Sequence, residues 1–301
     1  MDRFKKLIEK ANERKHNSLL HYSVIFGNYE ITKQLICLGE DINKINDIGE
    51  SPIHHACING DINIIDLLVN NGANINIISY EEISPILYAI FYNNLNAVKY
   101  LISKGVNLND KNLNLLSEAI FLGNKEIVEC LFQSGLNANI NDLNNHPLHY
   151  ACMYDKIEIV EYLLSLNVDV NVKNYNEYTP LHLACENGYL SIIKSLLSHG
   201  ADINVKNNIQ QTPLILSCTE NNLDVIKYLI SKGANINDID EDNYTSLHYA
   251  SIIGNLDIVK ELHNNGICLN HKNFKGKTAF DLSNDFSNYS ISEYLSKAKQ
   301  K

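Results

Sequence analysis

"TPLHLACENGYLSIIKSLLSHGADINVKNNIQQ", residues 179–211, decides the fold. Thr179 can cap a helix with its hydroxyl, and Pro180 directly after it sits where a helix tolerates a missing N–H. A helix therefore starts at this pair. Gly188 offers the left-handed backbone that ends it, and Gly200 does the same for a second helix. That second helix carries Ile192, Ile193, Leu196 and Leu197 along one stripe. A single helix pair has no means of covering such a stripe, so neighbours of the same kind must stack against it.

Those neighbours are present in the chain. Hexads matching "TPLHLA" at Thr179–Ala184 recur as "SLLHYS" from Ser18, "SPIHHA" from Ser51, "SPILYA" from Ser84, "NLLSEA" from Asn114 and "HPLHYA" from His146. "TPLILS" from Thr212, "TSLHYA" from Thr245 and "TAFDLS" from Thr278 complete the series. The intervals are 33, 33, 30 and 32 residues, then 33 four times. All five prolines (Pro52, Pro85, Pro147, Pro180, Pro213) follow the first hexad residue, where Ser51, Ser84 and Thr212 repeat the capping role of Thr179. The fourteen glycines fall at the ends of first helices, at the ends of second helices, or in the connecting turn (Gly49, Gly276). Asn93, Asn167 and Asn221 stand in where glycine is absent. The apolar stripe returns as Val225, Ile226, Leu229 and Ile230.

On these hexads and their period the chain resembles the ankyrin repeat family over nearly its whole length. The resemblance implies an all-α repeat solenoid: stacked helix-turn-helix repeats, with linking segments such as "ADINVKNNIQQ" from Ala201 forming projecting β-hairpin fingers. It assigns His21, His54, His149, His182 and His248 to hydrogen bonds with backbone of the adjoining repeat. It also implies a partner protein bound along the concave face of first helices and finger tips, with no common reaction or cofactor. Residues 1–15, with Phe4, Leu7, Ile8 and Ala11 on one helical face, read as an N-terminal capping helix. Residues 16–277 read as the repeats, and 278–301 as a capping repeat with a polar tail, where Asp281 replaces the hexad histidine because no further repeat follows. Two capped ends leave no appended domain to expect.

Composition narrows the function. With 301 residues, 45% apolar and 20% charged, the chain has ample material for a core. No stretch reaches the roughly 18 apolar residues of a membrane span, and the start lacks an apolar signal core. A soluble, monomeric, cytoplasmic protein is expected, or one in a host's cytoplasm were it an exported effector. The net charge of −10 hides basic ends, so the body is more acidic still. This argues against nucleic acid and membrane as partners and favours a basic or apolar protein surface.

Chemistry is sparse. Cys57, Cys152, Cys185 and Cys218 share one small site on the first helix and are expected buried, with Cys37, Cys130 and Cys268 more exposed. No C-x-x-C pair exists, and helices packed about 8–10 Å apart are too distant for a disulfide. The histidines belong to the hexads or sit beside them, and "GKT" at Gly276–Thr278 lacks the leading glycine of a phosphate loop. No metal, no cofactor and no enzyme activity are expected.

The 30- and 32-residue intervals locate two shortened fingers, after Asn109 and after Asn139. The two positions before the end of the first helix face the groove in the family. They read Phe91 and Tyr92, Phe121 and Leu122, Met153 and Tyr154 in successive repeats, then Glu186 and Asn187, Thr219 and Glu220. Three apolar pairs under trimmed fingers make a candidate contact patch, rimmed by Tyr80 and Ile83 on one side and Tyr175 and Tyr178 on the other. The acidic finger Asp238–Asn243, with Asp238, Asp240, Glu241 and Asp242, is a candidate electrostatic contact. The expected function is a protein-interaction module acting as an adaptor or scaffold. The alternative is an architectural or regulatory block that spaces subunits through its ends or convex face.

Overall fold

The computed structural model describes residues 17–108, 115–136 and 145–298. The expected capping helix at 1–15, Asn114 of the fourth hexad, and the shortened fingers after Asn109 and Asn139 lie outside the described residues. The described residues form 18 helices and group into two compact units, one through residue 136 and one from residue 145 on.

In the first unit the first helices are α1 (Leu19–Ile25), α3 (Pro52–Asn59), α5 (Pro85–Phe91) and α7 (Leu115–Leu122). Their partners are α2 (Tyr29–Cys37), α4 (Ile62–Asn70), α6 (Leu95–Ser103) and α8 (Lys125–Gln133). The second unit repeats the pattern with first helices α9 (Pro147–Met153), α11 (Pro180–Glu186), α13 (Pro213–Thr219), α15 (Ser246–Ile253) and α17 (Ala279–Asp285). Its second helices are α10 (Ile157–Ser165), α12 (Leu190–Ser198), α14 (Leu223–Ser231), α16 (Leu256–Asn264) and α18 (Tyr289–Ala298). Within each unit first helices pack on first helices and second on second, so each unit is an all-α repeat stack.

The stripe predicted on the second helices is its core: Ile192, Ile193, Leu196, Val225, Ile226 and Leu229 are fully buried, while Leu197 and Ile230 at the stripe's edge are half-buried. The four equivalent cysteines are fully buried under the first helices. Cys130 is buried too, against the expectation, because it lies one residue from Leu131 on the inner side of α8; Cys37 and Cys268 are exposed.

The hexad histidine ties repeats together. The backbone N–H of Ser51 donates to Nδ1 of His54 (2.9 Å), which leaves Nε2–H to donate to the carbonyl of Ile83 (3.2 Å). His182 repeats this between Thr179 (3.0 Å) and Gln211 (3.1 Å), and His21, His149 and His248 reach Glu50, Tyr178 and Lys277 in the same way. Both bonds require a neutral ring. Burial accordingly lowers the pKa of His54 and of His182 to about 4, with the backbone acceptors opposing it. At the C-terminal end Asp281 keeps the cap, accepting from Thr278 N–H (2.8 Å) and hydroxyl (2.7 Å).

The fingers differ from the expected β-hairpins. Among the described residues no strand forms, and Ile239 and Thr245 make an isolated antiparallel bridge. Most of the described fingers are instead turns held by an Asx side chain: Asn46 Oδ1 accepts from the N–H of Ile48 (3.2 Å) and Glu50 (3.0 Å), and Asn207 and Asn273 do the same, while Ser79 takes that place in the finger before α5. Glu82, Glu177, Gln210 and Asn243 adopt positive φ at the turn position that Gly49 and Gly276 occupy. Gly49 is required for a further reason: a Cβ there would lie 2.7 Å from the backbone nitrogen of Tyr80 and 2.8 Å from its ring. A second, staggered ladder runs along the finger bases, where Asn43 Oδ1 accepts from Asn74 N–H, and Asn76 Oδ1 from Asn107 N–H (2.8 Å each).

Candidate functional site

The last residues of each first helix precede a left-handed residue, so they sit at the helix mouth with little above them. In the first unit this row holds Phe26, then Asn59, then Phe91 with Tyr92, then Phe121 with Leu122. Phe26 is 78% exposed, and Tyr92, Phe121 and Leu122 are each between 36% and 39% exposed. Phe91 is half-buried. Since α5 and α7 pack side by side, the Phe91–Tyr92 and Phe121–Leu122 pairs stand on neighbouring helices of one unit.

The finger that leads into α5 carries Tyr80, which is 70% exposed and lies over Gly49. Its N–H donates to the carbonyl of Ile48 (3.0 Å), fixing the two fingers together. Ile83, the other expected rim residue, is buried. The reason is its place just before the hexad: its carbonyl accepts from His54 and its N–H donates to Ser79 Oγ (3.2 Å), which turns the side chain inward.

Beside Gly49 lies a feature the sequence reading missed. Glu50 is 1% exposed, yet it is a carboxylate. Its Oε1 accepts from the hydroxyl of Tyr88 on α5, and its Oε2 is 3.2 Å from Nε2 of the buried His55 and 3.4 Å from Nδ2 of Asn46. The Tyr88 ring meets His54 edge-on (centroids 5.9 Å apart) and tilts against Tyr92 (6.5 Å). The phenols of Tyr88 and Tyr92 are pushed above their usual pKa, first by burial and then by the Glu50 charge. A signal existed: an acid just before one hexad, and a tyrosine at the fifth position of the next. Its counterpart in the second unit is Gln211 with Tyr249, whose hydroxyl donates to Asp240 Oδ2 (2.5 Å).

The second unit is different at the corresponding mouths. Met153 and Tyr154 are half-buried, the Tyr154 ring stacked on Tyr150 at 6.3 Å. Tyr175 is exposed, whereas Tyr178 is half-buried against His182 (5.5 Å), at the same register as Ile83. Glu186 and Glu220 follow on α11 and beyond α13, and the carboxyl of Glu186 is raised, by burial first and then by Glu220. The acidic finger is only partly a free surface. Asp240 is buried, because it holds the Asx position of its turn and accepts from the N–H groups of Asp242 (3.0 Å) and Tyr244 (2.8 Å). Asp238 lies 3.8 Å from Lys206, and Glu241 and Asp242 are exposed.

Among the described residues no group of three or more His, Cys, Asp or Glu side chains could hold a metal ion, and no helix is long and apolar enough to cross a membrane. Burial pushes the Cys185 thiol up to about 12 and raises those of Cys57, Cys152 and Cys218 as well, so these thiols are poor nucleophiles.

A search of curated proteins finds no match. Among solved structures, the human ASB11 ankyrin repeat domain is similar, with a TM-score of 0.66 and 25% sequence identity over 73% of this chain and 99% of that one. The family model for "Ankyrin repeats (3 copies)" matches residues 20–112, 116–207 and 205–273. With its capped hexads, its histidine ties and these matches over most of its length, the chain belongs to the ankyrin repeat family.

Proposed function

We propose that the chain is a non-catalytic protein-interaction module, and that the first-helix mouths and finger of the first unit take an apolar segment of a partner protein. Ankyrin repeats are generally protein-protein interaction modules, and the face of this unit is built accordingly. The observation that carries the reading is the exposed row Phe26, Tyr92, Phe121 and Leu122, with Tyr80 exposed on a finger of the same unit. Large apolar side chains left in water at neighbouring places of a folded surface mark contact sites, and aromatic residues supply contact area at low entropic cost. Phe91 stands beside this row; in the second unit Tyr175 is exposed on its own finger, while Met153, Tyr154 and Tyr178 are half-buried.

The test begins with a partner recovered from lysate of the native host and then purified. Tyr92→Ala with Phe121→Ala should weaken that complex by about 2 kcal/mol or more, roughly thirtyfold, and leave the thermal midpoint nearly unchanged. A double variant that binds normally returns the row to an ordinary surface and favours an architectural role through other faces.

A further inference from the structure

The face just described is apolar by residue type, but its charges are not evenly arranged. Among the described residues of the first unit every cation is a lysine: Lys33, Lys99 and Lys125 stand on second helices, Lys104 ends one, and Lys44 sits at a finger base. None stands at a first-helix mouth. The acids Glu81 and Glu82 are exposed on the finger directly after Tyr80, and Glu118 is half-buried on α7. Beneath the aromatic side chains lies Glu50, held between Gly49, on which Tyr80 rests, and the hydroxyl of Tyr88, whose ring leans on Tyr92.

Tyr88 O–H and Asn46 Nδ2 donate to the Glu50 carboxylate, and His55 Nε2 lies 3.2 Å from its Oε2. A carboxylate already stripped of water and fixed in place attracts a positive charge without further reorganisation. A phenol that donates to a carboxylate also has a more electron-rich ring, and cations are drawn to ring faces. An apolar segment alone makes no use of either property, and an acidic one is repelled by both.

Resting on the reading that this face binds a partner, we infer that Glu50 makes it cation-selective, so that the segment it takes carries a Lys or Arg among large apolar side chains. Tyr80 and Tyr92 offer their ring surfaces to the cation, Phe121 and Leu122 accept the flanking apolar groups, and Glu50 with Tyr88 is the positioning and polarising pair behind them. Glu50 does not touch the ligand.

The experiment selects displayed 12-residue peptides on the full chain and discards those that still bind Tyr92→Ala with Phe121→Ala. The retained peptides are synthesised with a twin in which the Lys or Arg becomes norleucine, and binding is measured at 0.15 and 0.5 M salt, where the long-range field of the acidic chain is screened. The expected result is enrichment of Lys or Arg beside apolar residues, a twin about tenfold weaker on the native chain at both salts, and a difference below about twofold on Glu50→Gln. Tyr88→Phe, which keeps the ring and removes the link to Glu50, should shrink the difference as well; it decides the matter should Glu50→Gln fail to fold. A twin that binds the native chain equally, or retained peptides without cations, overturns the inference and leaves the binding face intact. A twin equally weakened on native chain, Glu50→Gln and Tyr88→Phe assigns the cation to the rim acids and overturns the role of Glu50. Failure to retain any peptide overturns the binding face itself, and this inference with it.

Discussion

Two stretches of the molecule share one backbone and present opposite chemistry. The mouths of α5 and α7 in the first unit show Tyr92, Phe121 and Leu122 to solvent, whereas those of α11 and α13 in the second carry Glu186, Asn187 and Glu220 at corresponding register; Phe26 in the first unit and Ile253 and Phe286 in the second are exposed at the outer mouths. Caps, histidine ties and buried stripes are alike on both sides. The scaffold therefore does not dictate these positions. What a repeat stack needs for folding is confined to caps, stripes and turn residues, and the mouths are free to carry recognition. The mouths of α11 and α13 serve as an internal control for those of α5 and α7.

Acid should have the largest effect, and on the ties that both units share. His146 and His182 have pKa values lowered to about 4, and His149 and His248 are also lowered, all in the second unit and all chiefly by burial; in the first unit His54 is lowered to about 4. A histidine held below its unfolded value of 6.5 contributes its full stability above pH 6.5. As pH falls from there toward 4, the unfolded chain takes up the proton first and stability declines, by about 1.4 kcal/mol per pH unit for each such group. Hydrogen exchange corrected for intrinsic rate should therefore show both units losing protection between pH 6.5 and 4, since His54 ties the first as His149, His182 and His248 tie the second. Protection unchanged over that range in either unit would overturn the role of its ties.

Thiol chemistry gives the next largest contrast, within rather than between units. Under native conditions Cys37 and Cys268 should react at once, while Cys57, Cys130, Cys152, Cys185 and Cys218 wait for opening and react a thousandfold or more slowly. Unfolded without reductant, all seven should titrate. Fewer, or a rapid reaction at Cys130, would show that burial has been misassigned.

A smaller difference is expected inside the first unit and its mirror in the second. The fourth hexad has Leu115 for the proline and Ser117 for the histidine. A missing compatible proline is worth about 0.4–1 kcal/mol. Residues 115–134 should thus exchange faster than 179–205; equal protection would mean that Leu115 and Leu116, both buried, make good the loss. The smallest effect belongs to the acidic finger. Neutralising Asp238, Glu241 and Asp242 while sparing the buried Asp240 should slow association with a cationic partner only at low salt. An unchanged rate there identifies a solvated loop.

Much of the fold was legible because its determinants are local. Ser or Thr before Pro starts a helix, glycine ends it, and the stripe of Val225, Ile226 and Leu229 needs only helical spacing. The misreadings came from positions whose side chain is aimed by a partner elsewhere. Ile83 faces inward because its carbonyl serves His54, and Asp240 is buried because it closes its own turn. Glu50 and Tyr88, 38 residues apart, meet only when repeats stack, so neither stands out in the sequence. The strands expected in the fingers gave way to Asx turns, whose side-chain acceptors leave little for a ladder to hold.

The tie from each hexad histidine to the carbonyl ahead of the next hexad has a consequence for the lengths of the repeats. It always joins residues 29 apart. A segment pinned at both ends by such a strut is gauged: removing a residue would strand a buried imidazole and a buried carbonyl together. Every repeat that owns the strut is followed by an interval of 33 residues, while the intervals of 30 and 32 follow the repeats with Leu87 and Ser117 in its place. Ile215 shows that an ungauged segment can keep the full length. The two short intervals thus fall only after repeats whose hexad lacks the histidine.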